Sequence, residues 1–240
     1  MSIKLSIAPR TLHFKQPAGT SRGVYTTRQS WFVTATDDAH PDILGVGECA
    51  PLPDLSCDAT PNYEERLKEL CNMVEAKGSI CYDTLRPYPS VLFGLETALL
   101  DLKRGGTGVL FDNSFARGET GIPINGLVWM GNYDEMLQRL EEKMRAGFRC
   151  VKLKIGAIDF DRELDLVRHI RSTFTKEQIE LRVDANGGFT ADCALQRLER
   201  LAQYDIHSIE QPIRQHQWEE MAALCKATPI PIALDEELIG

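Results

Sequence analysis

No stretch of this sequence approaches the roughly 20 apolar residues of a membrane-spanning helix, and it carries no basic block. Lys and Arg number 27 against 35 Asp and Glu, a net charge of -8, with both signs mixed along the chain. Neither a membrane span nor a nucleic-acid partner is expected from that pattern. The C-x-x-C spacing is missing as well. The seven cysteines (Cys49, Cys57, Cys71, Cys81, Cys150, Cys193, Cys225) are odd in number, and several stand beside apolar residues. They read as reduced thiols of a cytoplasmic protein. The five histidines form no cluster, and the opening MSIKLSIAPRTLHF lacks the apolar run of a signal peptide. What is present is ordinary for a globular protein: 43% hydrophobic and 26% charged residues in a chain of 240, enough for one large domain or two modest ones.

The two halves follow different rules. In the first, residues 2–15 alternate, PAGTSRG reads as a turn, and the aromatic and β-branched RQSWFVTAT (28–36) reads as a strand. A polar turn over 37–42 and the segment LGVGECA complete an antiparallel sheet of about three strands. Helical spacing then runs from Asn62 to Ala76, and again through the apolar Ser90–Lys103, stopped by RGGTG. The second half alternates. Apolar segments at 122–128, 149–155, 179–184, 206–210 and 230–235 each read as a strand. Helices are expected from about Asn132 (with Glu135 at capping-box spacing), over 160–174, from Thr190 and from about Gln217. Alternation of this kind means parallel strands with right-handed crossovers, in a barrel or a doubly wound sheet. The boundary is expected in the turn-rich 116–121, giving units 1–118 and 119–240.

Four strand ends carry residues that a strand end does not need. Lys152 and Lys154 lie two apart on the second strand, Asp184 and Asn186 close the third, Glu210 the fourth and Asp235 the fifth. Each signal alone is more often an exposed face or a helix cap. Together they recur at 30, 26 and 25 residues, one strand–helix unit each, and that pattern favours the barrel, whose strand ends converge on one mouth. Three carboxylates form a hard oxygen donor set suited to Mg²⁺, and the lack of His or Cys among them argues against zinc. Side chains two apart on a strand leave the same face. Repulsion and desolvation then lower a lysine pKa, so one lysine can serve as a neutral base. A proton next to a carboxylate is weakly acidic, and its removal needs the cation to stabilise the resulting charge. Arg182 shares the strand face of Asp184, and Asn125 and Trp129 sit on or just after the first strand, able to line a pocket or fill the core; Asn125, Asn186 and Arg182 are candidate substrate contacts. Glu236 reads as a solvated neighbour of Asp235.

With these motifs in place, the chain resembles the enolase superfamily, in its muconate-lactonizing-enzyme subgroup. The phrases GVGECAPLPDLS (45–56), FGLETALLDL (93–102) and PINGLVWMG (123–131) are most similar to the o-succinylbenzoate synthases of that subgroup. The resemblance implies an α/β fold, a (β/α)₇β TIM-type barrel behind an N-terminal α+β capping domain, with 45–56 as a lid over the barrel mouth. It implies Lys154 as the proton-transferring base, Lys152 as its electrostatic neighbour, and Asp184, Glu210 and Asp235 as Mg²⁺ ligands. The implied reaction is dehydration of 2-succinyl-6-hydroxy-2,4-cyclohexadiene-1-carboxylate, a small carboxylate on the way to menaquinone.

The family pattern is not complete in these 240 residues. Five strands are read where the family has eight, and the sixth-strand lysine opposite Lys154 is absent. Either the sequence is a fragment of a longer chain, or another chain completes it, a homo-oligomer being one such arrangement. Two other functions remain open at this point: an N-acylamino-acid racemase or dipeptide epimerase, which needs a base on each face, and a non-catalytic metal-binding protein.

Overall fold

Strand β1 (Ile3–Thr20) pairs antiparallel with β2 (Gly23–Asp37), and β2 with β3 (His40–Cys49), in the order β1-β2-β3. The computed structural model describes residues 3–20, 23–129 and 132–239. The chain divides into two compact units, the first running to Ile122 and the second from Pro123 to Leu238.

In the first unit the hairpin is longer than the sequence pattern implies. Residues read as a turn, Pro17 to Thr20 and Gly23, belong to β1 and β2, with a register shift between His13 and Ala18; Ser21 and Arg22 lie outside the described residues. Pro17 and Gly23 are exposed and Ala18 is half-buried, so no apolar alternation marks this stretch as strand. The core forms where one face of β2 and β3 meets two helices, α1 (Tyr63–Lys77) and α3 (Pro89–Lys103), with the single turn α2 (Tyr82–Leu85) between them. Val33, Ala35, Cys49, Leu67, Val74, Val91, Leu95 and Ala98 are fully buried there. Helix α3 lies close on β3 because Gly47 and Gly94 face each other: a Cβ on Gly47 would overlap the Gly94 carbonyl oxygen. The phrase 93–102 is therefore packing. Its Asp101 is buried and accepts the backbone N–H of Val46 at 3.0 Å and of Gly108 at 2.8 Å. Beyond β3, residues 50–56 form a loop turned by Leu52 and Ser56, with Asp54 at φ +62°.

The second unit is a parallel sheet of β4 (Gly126–Val128), β5 (Cys150–Lys154), β6 (Glu180–Asp184), β7 (Ser208–Glu210) and β8 (Ile232–Ala233). Spatial order equals chain order. A doubly wound sheet reverses its strand order at a switch point; this sheet does not, and its five strands form part of a barrel. The crossovers are α4 (Tyr133–Arg145), α5 (Phe160–Thr173), α6 (Ala191–Ala202) and α7 (Trp218–Ala227). The capping box at the start of α4 is present, with Asn132 Oδ1 accepting from Glu135 N and Glu135 Oε2 accepting from Asn132 N. Strand β4 is shorter than the apolar stretch 122–128, whose first two apolar side chains, Ile122 and Ile124, are exposed. The core is built from the strands' outward residues (Val151, Leu153, Leu181, Val183, Ile209) and the apolar helix stripes (Leu166, Ile170, Leu198). No helix among the described residues is long and apolar enough to cross a membrane.

Candidate active site

The strand register places the charged residues on one rung. Lys154 pairs with Asp184, Asp184 with Glu210, and Glu210 with Ala233, two residues before Asp235. Registered residues of parallel strands direct side chains to the same face, so the spacing read in the sequence becomes spatial convergence at the C-terminal end of the sheet. Lys152 stands one rung below, beside Arg182 and Leu127.

Asp184 is the hub. It is fully buried, and its Oδ2 accepts from Lys154 Nζ at 2.5 Å and lies 3.3 Å from Lys152 Nζ. Lys152 also donates to both oxygens of Glu210, at 2.7 and 2.9 Å. Burial pushes the Asp184 carboxyl up, but the hydrogen bond and charges of the two lysines outweigh it and hold the group below the usual carboxylate range. Glu210 goes the other way: burial and the neighbouring Asp184 raise it against the pull of Lys152. Burial likewise raises Asp235, with Glu236 and Asp184 adding to it. Lys152 corrects a simple expectation. Burial does disfavour its ammonium, yet Glu210 and Asp184 more than compensate, and its pKa is raised, not lowered.

Asn186 belongs to the same group. Its Oδ1 accepts from Lys154 Nζ at 2.7 Å, its N–H donates to Asp184 Oδ1, and its Nδ2 donates to Glu236 Oε1 at 3.2 Å. It adopts φ +43°, a left-handed conformation that Asn tolerates better than most side chains. Glu236, expected to be solvated, is instead buried, because the short 3₁₀ turn Glu236–Leu238 folds it in toward Asn186. Gln211, which sequence reasoning passed over, fastens that turn: its buried Oε1 accepts from the N–H groups of Asp235 and Glu237 at 3.1 and 3.3 Å.

The other candidates lie apart. Arg182 donates to Glu180 Oε1 at 2.7 Å, toward the N-terminal end of the strand. Asn125 immediately precedes β4, also at the N-terminal side, and among the described residues neither it nor Arg182 hydrogen-bonds to the lysine–carboxylate group. Trp129, just after β4, is half exposed, and its carbonyl accepts from Arg139. Met130 and Gly131 of the quoted phrase, and Gly240, lie outside the described residues.

Whether the carboxylates suit a divalent cation is decided by their chemistry and convergence. Asp184 and Glu210 already share one cationic partner, and Asp235 lies within electrostatic reach of Asp184 and both lysines. In the present arrangement, with ammonium groups drawn onto the carboxylates, no three His, Cys, Asp or Glu side chains among the described residues are close enough to hold a metal ion. The chemistry of the donor set, three carboxylates with no His or Cys, fits Mg²⁺.

Comparison with known proteins bears on both units. Residues 20–102 match the family described as "MenC, N-terminal domain", and residues 135–240 match "Enolase C-terminal domain-like". The o-succinylbenzoate synthase of Desulfotalea psychrophila is 44% identical over 99% of this chain and 72% of its own length. The crystal structure of MenC from the same organism superposes with a TM-score of 0.81 at 39% identity, over 100% of this chain and 72% of that one. The o-succinylbenzoate synthase of Thermosynechococcus elongatus, solved with Mg in its active site, gives a TM-score of 0.76 at 22% identity, covering 97% of this chain and 68% of the other, a likeness of fold.

Proposed function

Because the chain belongs to the o-succinylbenzoate synthase family, within the enolase superfamily, we propose that its site dehydrates 2-succinyl-6-hydroxy-2,4-cyclohexadiene-1-carboxylate to o-succinylbenzoate with Mg²⁺, a step of menaquinone biosynthesis. The observation that carries this reading is the shared rung of Lys154, Asp184 and Glu210.

Asp184, Glu210 and Asp235 are the ligands in this reading. A bound Mg²⁺ supplies positive charge that neutralises these carboxylates and stabilises the charge developing on the substrate carboxylate. Lys154, released from the pull of Asp184 and having given its own proton to solvent, takes the α-proton of the substrate onto Nζ as a neutral amine. Asn186 Oδ1 orients that Nζ through the hydrogen bond it accepts from it. Lys152 stays protonated beside Glu210 and adds fixed positive charge to the mouth. The Cα–H electron pair forms the new ring double bond as the C–O bond breaks. The departing hydroxyl leaves as water with the proton that Lys154 had taken, so the net loss is one water. Aromatisation of the ring supplies the driving force, and the protein's task is to hold a weakly acidic carbon against a base.

The dehydratase is favoured over an epimerase by the 44% identity that runs the length of this chain. The test is turnover of the cyclohexadiene substrate and of an N-acylamino acid by the purified protein with Mg²⁺. Dehydration without racemisation supports the reading; racemisation without dehydration, or Mg²⁺ binding with neither activity, overturns it.

A further inference from the structure

Between Lys154 and α5 the chain makes a short loop, Ile155 to Asp159. Ala157 and Ile158 are exposed. Yet three consecutive N–H groups of this loop point at one atom: Glu163 Oε1 accepts from Gly156 at 2.7 Å, Ala157 at 3.1 Å and Ile158 at 3.2 Å. Glu163 is itself only 2% exposed, a rare condition for a glutamate. Burial raises its pKa, against the lowering effect of the three N–H groups and of Arg197, whose guanidinium stands over the rings of Phe160 and Phe189 at 4.9 and 4.8 Å. A buried carboxylate is costly unless its hydrogen bonds accomplish something.

What the loop touches gives the reason. Gly156 has φ +87°, and a Cβ there would meet the carbonyl oxygen of Ala185 at 2.9 Å and Cα of Gly188 at 3.3 Å. Ile155 N–H donates to the Asp184 carbonyl at 2.8 Å. The loop after Lys154 is thus seated on the turn that carries Asp184 and Asn186, and Glu163 holds it there from behind. Lys154 enters this assembly from one side; its two hydrogen-bond partners enter from the other.

We propose that Glu163 is a positioning residue of the active site, a buried carboxylate clamp that fixes the loop 155–158 against the turn 184–188 and so sets the position of Lys154 relative to Asp184 and Asn186. It touches no reacting atom. Its effect passes through the backbone to Lys154, where a displacement of about 1 Å costs up to about 100-fold in rate. This inference rests on the dehydratase reading for its kinetic consequence, and on the geometry alone for its structural one.

Two measurements test it separately. Amide hydrogen exchange on the unmodified protein should find Gly156, Ala157 and Ile158 protected to the level of β5, although two of the three are on the surface; fast exchange at all three overturns the clamp, whatever the activity. In Glu163→Ala, exchange at these three amides should accelerate at least tenfold relative to the β5 amides, and kcat should fall about tenfold or more while KM changes less than twofold. Glu163→Gln, which keeps an acceptor oxygen, should restore both. Leu166→Ala, a core truncation on the same helix, controls for lost stability: it should leave the three amides and the kcat of folded protein near wild type. Equal kcat losses in Glu163→Ala and Leu166→Ala, or none in Glu163→Ala while the wild type turns over, overturn the positioning role. A wild type without dehydratase activity defeats the functional reading instead, and the exchange data still decide the clamp.

Discussion

Lys152 donates to both oxygens of Glu210 while lying 3.3 Å from Asp184, so a single ammonium joins carboxylates from two adjacent strands. Asp184 and Glu210 would be among the residues that hold a divalent cation, whose double charge would compete with that ammonium for the carboxylates. Opposite effects follow for two substitutions. Glu210→Gln, which removes the charge of a direct ligand, should weaken Mg²⁺ binding by at least about 10-fold, the lower end of the loss seen when even an outer-shell partner is removed. Lys152→Met, which removes the competitor and a repelling charge, should strengthen it. Titration calorimetry reads both. Weaker binding in Lys152→Met would remove Lys152 as the competing charge, and unchanged binding in Glu210→Gln would remove Glu210 as a ligand.

Lys154 has no substitute within the group. Lys152 stands one rung lower and is held by both oxygens of Glu210, whereas Lys154 meets Asp184 and Asn186. Lys154→Ala should therefore lower kcat by about 10²- to 10⁴-fold, the usual share of a general base, while Mg²⁺ affinity is retained or improved. Substrate incubated in D₂O with the variant should also show no α-deuteration. Turnover within tenfold of wild type would exclude Lys154 as the base.

The site was legible in the sequence because its signals repeat with the fold. Lys154, Asp184, Glu210 and Asp235 recur once per strand–helix unit, so a correct reading of the alternation brings them together without coordinates. Residues acting across that period were not legible. Glu163 folds back onto a loop seven residues earlier; its spacing from Phe160, Leu166, Val167 and Ile170 puts it on the buried stripe of α5, but no pattern in the sequence shows which groups it meets there. Glu236 was misread for a related reason: its burial depends on Asn186, 50 residues away, and on the turn that Gln211 fastens. The reach of β1 through Pro17 and Ala18 is not legible because an exposed ladder carries no burial pattern, and Pro and Gly in PAGTSRG have a commoner meaning as turn residues.

The first unit depends on a contact with no room for a side chain. Gly47 on β3 meets the carbonyl of Gly94 on α3, and a Cβ on Gly94 would in turn overlap the sulfur of Cys49. Relief would require α3 to lift from the sheet, since the obstacle is backbone and cannot change rotamer. Gly47→Ala should destabilise the first unit by about 3 kcal/mol, the upper part of the range for overpacking. Urea unfolding followed by Trp31 fluorescence provides the measurement, Trp31 being packed beside Tyr63 at 4.7 Å between ring centroids. A change below about 0.5 kcal/mol, typical of an unconstrained surface site, would mean that the helix and strand are not in close contact.

The thiols differ enough to be ranked. Cys81 accepts hydrogen bonds from Thr84 Oγ1 at 3.4 Å and Lys77 Nζ at 3.1 Å, and both partners, Thr84 foremost, hold its pKa below the usual thiol value. Cys49 and Cys71 are pushed up to about 12, chiefly by burial. Alkylation proceeds through the thiolate. Below the ordinary thiol range a lowered pKa therefore means a larger reactive fraction, and the advantage shrinks once pH rises far enough to ionise every accessible thiol. Iodoacetamide at pH 7 followed by peptide mass mapping should find Cys81 modified first, the exposed Cys57 and Cys225 later, and Cys49 and Cys71 only on unfolding. Thr84→Ala and Lys77→Ala should each slow Cys81 at pH 7 and have less effect at pH 10. If Cys81 reacts no faster than Cys57 at pH 7, and neither substitution slows it, the two hydrogen bonds do not activate the thiol.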